Sequence, residues 1–130
     1  MTDFYIRPDG LPPGNGYSHA VAFAGRTVII SGQLPLDRDG RLAGTDPEAQ
    51  MRQVFQNLAI ALAAAGTGMA QVVKLTVYLT DLADLPVFRR VRDEYVSADY
   101  PPASSLVQVA GLVHPKARVE IEALAAAPMA

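Results

Sequence analysis

The run Val72 to Thr80 alternates without a break, with Val73, Leu75, Val77 and Leu79 apolar and Lys74, Thr76, Tyr78 and Thr80 polar or amphipathic. A period of two sends the two sets to opposite sides of a β-strand. One side of this strand must therefore be buried and the other must meet something more polar. A chain built around it needs a sheet with a cover on one face only.

Two helical segments can supply that cover. The first opens with Asp46 as N-cap, Pro47 at the first helical position and Glu48 at the positive end of the dipole. Met51, Val54, Phe55, Leu58, Leu62 and Ala65 then recur at three- and four-residue steps, and Gly66 stops the helix. Such a stripe packs on a sheet rather than binding a cofactor. The second helix is expected to be capped by Asp84 and to run to about Ala98, with Leu85, Phe88, Val91 and Tyr95 facing inward, before Pro101-Pro102 ends the region.

The remaining strands are short. His19 to Ala24 and Arg26 to Ser31 flank Gly25, the position a hairpin turn needs. Ser105 to Val109 and Arg118 to Leu124 follow the second helix, joined by a loop with His114 and Pro115. The first sixteen residues, rich in Pro and Gly, read as an extended lead-in. The expected fold is thus α+β: one domain over residues 1–130, ordered ββαβαββ, a mixed sheet with both helices on one face. The other face would carry Thr76, Tyr78, Gln108 and Glu120. That mixture is too polar for a core and too apolar for plain solvent, which points to self-association.

Composition removes several kinds of chemistry. With no cysteine, disulfides, zinc-thiolate sites and cysteine nucleophiles are excluded; with two histidines, so is a histidine-rich metal site. A formal net charge of -2 offers no basic field for nucleic acid. The N-terminus lacks the marks of a signal peptide, and the longest mostly apolar run, Leu58 to Ala65, is too short to cross a bilayer. A cytoplasmic protein without membrane or nucleic-acid partners is expected.

Five segments in order resemble the RidA/YjgF family. These are Gly16-Tyr17-Ser18-His19-Ala20, Ile30-Ser31-Gly32-Gln33-Leu34-Pro35, the helix from Gln50 through Asn57 to Leu62 with its stop at Ala65-Gly66, Val73 to Asp81, and Val119-Glu120-Ile121-Glu122-Ala123. The resemblance covers about Gly16 to Ala125. It implies a homotrimer with clefts at the subunit interfaces and cofactor-free hydrolysis of enamines or imines, such as 2-aminoacrylate, to a keto acid and ammonia. It also implies a carboxylate-binding arginine in a Pro-Ala-Arg-Ser segment and a water-placing glutamate on the last strand.

An imine already reacts with water, so the catalyst mainly holds the acid, orients a water and manages one proton. Arginine suits the acid because its planar fork donates two parallel hydrogen bonds. This chain reads Pro102-Ala103-Ser104-Ser105, so Ser104 stands where the resemblance places the guanidinium. A serine hydroxyl donates one neutral hydrogen bond and cannot neutralise a carboxylate.

The candidate catalytic residues are therefore Glu120 and Ser104. The substrate-binding candidates are Tyr17, Ser31, Gly32, Gln33, Arg89, Ser105 and His114. Each has a plainer alternative. Glu120 also fits an interface charge, and Tyr17 an edge aromatic; Ser31, Gly32 and Gln33 fit a shaped strand end. Arg89, near the family's helix asparagine, is a replacement cation or part of a solvated basic face with Arg90 and Arg92. Arg118, a second candidate cation, is a surface charge on the plainer reading. His114 is a proton carrier or a loop residue. Water addition to an imine leads the functional readings. Binding without turnover, and a biosynthetic cyclisation, dehydration or hydrolysis of a less acidic substrate, stand beside it. Nuclease activity comes last.

Overall fold

A computed structural model describes residues 2–129. Its strands are β1 (Thr2–Tyr5), β2 (Ala20–Phe23), β3 (Arg26–Gln33), β4 (Val72–Leu79), β5 (Ala103–Gln108) and β6 (Val119–Ala127). Its helices are α1 (Pro47–Ala64) and α2 (Leu85–Arg92). A four-stranded sheet runs in the order β3-β6-β4-β5, with β4 parallel to β5 and the β3–β6 and β6–β4 pairs antiparallel. This is the expected mixed sheet of an α+β chain.

Four expectations need correction. The lead-in is not merely extended, because Thr2–Tyr5 forms β1. This strand pairs antiparallel with β2, and the two make a separate small sheet. The hairpin expected around Gly25 is absent as well: β2 pairs with β1, while β3 joins the other sheet through β6.

The third correction is the length of α2. It ends at Arg92 rather than near Ala98, as the chain tightens into three-residue turns with Glu94 N–H donating to Val91 O and Tyr95 N–H to Arg92 O. Tyr95 still turns inward, stacking on Phe55 with ring centroids 4.8 Å apart. Finally, Asp84 does not cap α2 through its side chain. Its carboxylate is buried and accepts two hydrogen bonds from Arg118, at 2.8 and 3.0 Å.

Helix α1 begins as its sequence dictates, with the Asp46 carboxylate accepting Ala49 N–H at 3.1 Å and Pro47 at the start. It buries Met51, Val54, Phe55, Leu58 and Leu62 against Leu75, Val77 and Leu79 of β4 and Val119 and Ile121 of β6. Val72 rather than Val73 joins this core, because the β4–β6 ladder is irregular between Val72 and Lys74. Helix α2 docks through Phe88 and Val91. An Arg90–Glu48 ion pair at 2.7 Å ties it to α1, and an Arg52–Glu94 pair at 2.8 Å ties the turn that follows it. No helix among the described residues is long and apolar enough to cross a membrane.

Candidate functional site

The sheet divides the predicted residues between its two faces. Ser104 lies on the helix side of β5, in phase with Leu106, which packs against the core. Ser105 points the other way and accepts a hydrogen bond from Lys74 Nζ at 2.8 Å. Gln108, expected on the open face, sides with Ser104 and Leu106, and its Oε1 accepts Leu82 N–H. Strand alternation thus separates two serines that the sequence reading had placed in one site.

Tyr17 reaches Ser104 because Ser18 anchors its segment to the start of β5. Ser18 is buried; its N–H donates to Pro102 O at 3.0 Å and its hydroxyl to Pro101 O at 2.6 Å. The Tyr17 ring lies over Gly14 and meets the His19 ring edge-on at 5.3 Å. Tyr17, Ser104 and Leu106 line a 210 Å³ pocket that α2 closes with Leu85, Phe88, Arg89 and Arg92. Arg89 therefore does come to the space beside Ser104. Among the described residues it has no hydrogen bond or ion pair through its side chain.

Arg92, read from the sequence as part of a solvated basic face with Arg90, is instead buried, and its spacing from Leu85 and Arg89 (i, i+4, i+7) is that of one helix face. It is 6% exposed, donates to Asn15 O, Asn15 Oδ1 and Asp93 Oδ1, and lies 5.8 Å from the Phe88 ring centroid. Gly16 makes room for it: φ is +70° there, and a Cβ would overlap the guanidinium. Arg118 is committed elsewhere, its guanidinium held above its ordinary pKa by the Asp84 carboxylate.

The second group sits on the open face. Val119 and Ile121 are fully buried, so Glu120 between them points away from the helices. The β3–β6 ladder is irregular between Ile30 and Gln33, where β3 carries one residue more than β6. A Cβ on Gly32 would overlap the Glu120 carboxylate as it stands, so any larger residue would displace that side chain. Glu120 lies opposite Tyr78 in the ladder with β4, and the Tyr78 hydroxyl donates to Glu122 Oε1 at 2.5 Å. That hydrogen bond, with partial burial and the charges of Glu122 and Glu120, raises the Tyr78 pKa above its ordinary 10.0.

Ser31 is exposed, and its carbonyl accepts from Gln33 Nε2. Gly32 and Gln33 also border a 660 Å³ groove between the loop after β3 and the outer side of α1. Asn57 holds that loop by donating to Leu34 O and Leu36 O. His114 joins neither group; its Nδ1 accepts Lys116 N–H in the turn before β6. No three His, Asp or Glu residues converge on a metal position among the described residues.

One chain thus carries two separate groups of candidate residues, Tyr17, Arg89 and Ser104 at one edge of the helix side and Gly32 and Glu120 on the open side. The family model described as endoribonuclease L-PSP matches residues 9–127. The human protein named 2-iminobutanoate/2-iminopropanoate deaminase is 38% identical over 111 residues, spanning 84% of this chain and 78% of its own. Protein DfrA of Myxococcus xanthus is 39% identical over 123 residues, 92% of each chain. The solved structure of YyfB from Yersinia pestis, a Rid-family protein of unknown function, has a TM-score of 0.87 at 34% identity, covering 96% of this chain and 98% of that one. With this coverage and these identities, the chain belongs to the RidA/YjgF family.

Proposed function

We propose that the protein hydrolyses the imine or enamine of a small carboxylic acid, in a cleft completed by a second copy of the chain. The observation that carries this reading is Arg89: half-buried and unpaired among the described residues, it lines the pocket of Tyr17 and Ser104. It can donate the two parallel hydrogen bonds that the residue at position 104 cannot. The deaminase name of the human relative supports the reaction class.

In the proposed reaction, water adds to the imine carbon while the C=N π-bond pair takes a proton onto nitrogen. The resulting carbinolamine loses ammonia as its hydroxyl proton departs and the carbonyl forms. Glu120 orients the water and accepts its proton, a role worth about 10²–10⁴-fold. No step calls on a cofactor. Since Ser104 and Glu120 face opposite sides of one sheet, the water and the acid meet only if one copy offers Glu120 to another's Arg89. A closed trimer satisfies this symmetrically. Light scattering should then give three times the 13.8 kDa chain mass.

The test generates imines in situ from several amino acids with an amino-acid oxidase and follows their trapping by semicarbazide. Added protein should suppress the semicarbazone. Trapping that proceeds as in buffer for every imine removes the reading. Ser104 favours one alternative, binding without turnover, in which Glu120→Gln changes affinity and there is no rate to lose.

A further inference from the structure

Two guanidinium groups of α2 line the pocket beside β5, and their surroundings differ. Arg92 is buried, hydrogen-bonded to Asn15 and Asp93, and lies over Phe88. Its charge is already answered. Arg89 is half-buried with its donors free among the described residues, whereas the next residue, Arg90, is spent on Glu48. A partly desolvated guanidinium without a counter-charge is a place for an anion.

To the same pocket β5 contributes the short side chain of Ser104 and that of Leu106, and Tyr17, Leu85 and Phe88 complete its apolar lining. The pocket therefore takes its cations from the helix, while Tyr17, Leu85, Phe88 and Leu106 give it apolar surface in a lining that is otherwise polar. Resting on the hydrolytic reading above, we propose that Arg89 and Ser104 set the substrate class. That class is the imine or enamine of a 2-amino acid with a branched or aromatic side chain. Its carboxylate is held by Arg89, and its side chain sits over Ser104 between Tyr17 and Leu106. A methyl-sized side chain leaves that space unfilled. A single methylene in such a pocket already discriminates by roughly 10-fold or more.

Titration calorimetry on the intact protein tests this with three 2-oxo acids, the products such imines would yield: pyruvate, 4-methyl-2-oxopentanoate and phenylpyruvate. The two larger acids should bind at least about 10-fold tighter than pyruvate. Arg89→Gln should weaken all three by about 10-fold or more, as one partner of a charge-assisted pair is lost. Ser104→Leu, which fills the space without touching the cation, should weaken the larger two and spare pyruvate. Circular dichroism on each variant shows that its fold is kept.

Pyruvate binding as tightly as the others overturns the proposal, as do unchanged affinities in Arg89→Gln or no binding by any of the three. Failure of the reaction itself reads differently. Ordered binding with no suppression of semicarbazone keeps the selectivity and removes the hydrolysis. Hydrolysis confined to the alanine-derived imine keeps the reaction and removes the selectivity.

Discussion

The two faces of the β3-β6-β4-β5 sheet are made by the same residues taken alternately, yet they work differently. On the covered face Leu75, Val77, Leu79, Val119 and Ile121 are closed over by α1 and α2, with the fully buried Gln50 hydrogen-bonded at the margin to Lys116 and Arg118. On the open face Tyr78, Glu120 and Glu122 answer one another through hydrogen bonds and charge, and Ile29 is left 75% exposed. The covered face is held by area and fit, which resist substitution everywhere. The open face is held by a few directed contacts and can change function at one residue without unfolding. The contrast also explains why the two groups of candidate residues differ. Ser104 and Arg89 share a pocket at the margin of the packed layer, whereas Glu120 stands in the open.

Truncation of the core gives the largest effect. Phe55 is fully buried and stacked on Tyr95, so Phe55→Ala should cost about 3–5 kcal/mol. Urea denaturation reads this directly, and a loss below about 1 kcal/mol would mean that the covered face is not the seat of stability.

Glu120→Gln makes the opposite test. Imine hydrolysis should fall by about 10²-fold or more, while the unfolding free energy read from urea denaturation moves by no more than about 0.5 kcal/mol. If stability falls along with the rate, the open face is structural after all and the contrast breaks. The Asp84–Arg118 pair sits where the layers join, with the Asp84 side chain 7% exposed and that of Arg118 37%. Asp84→Asn should cost about 1.5–3 kcal/mol, less than a wholly buried pair. A negligible loss would show that this seam is solvated.

Legibility followed the same division. The alternation of Leu75, Val77 and Leu79 and the α1 stripe named most of the covered face, because burial repeats with the period of the element. The bulge that brings Val72 into the core has no such period, and neither does the pairing of Thr2–Tyr5 with β2. Asp84 looked like a cap because a local rule fits it, but Arg118, 34 residues away, offered its carboxylate a better partner. At the site, the sequence nominated Tyr17, Arg89 and Ser104 separately. Only the buried tether of Ser18 to Pro101 and Pro102 shows why they meet. Side-chain alternation alone was enough to part Ser104 from Ser105 and from Glu120.

The smallest expected effect lies in how each layer answers pH. Glu48 and Glu94, whose ion pairs tie α2 and the turn after it to α1, are held below the ordinary glutamate value of 4.5 by hydrogen bonds from Arg90 and Arg52 respectively. A depressed folded pKa means that their support is present above pH 4.5 and fades as pH falls through the folded value. Tyr78 is raised above 10.0, so the folded chain holds that proton more tightly than the unfolded one. Its support is complete below pH 10.0 and is lost as pH climbs beyond it. The helix layer should therefore weaken first in acid and the open face first in alkali. Denaturation midpoints across this range should show Glu48→Gln with Glu94→Gln flattening only the acid limb, and Tyr78→Phe only the alkaline one. If Tyr78→Phe left the alkaline limb as steep as in the wild type, the Tyr78–Glu122 contact would have no part in stability, and the open face would lose the directed contact on which its side of the comparison rests.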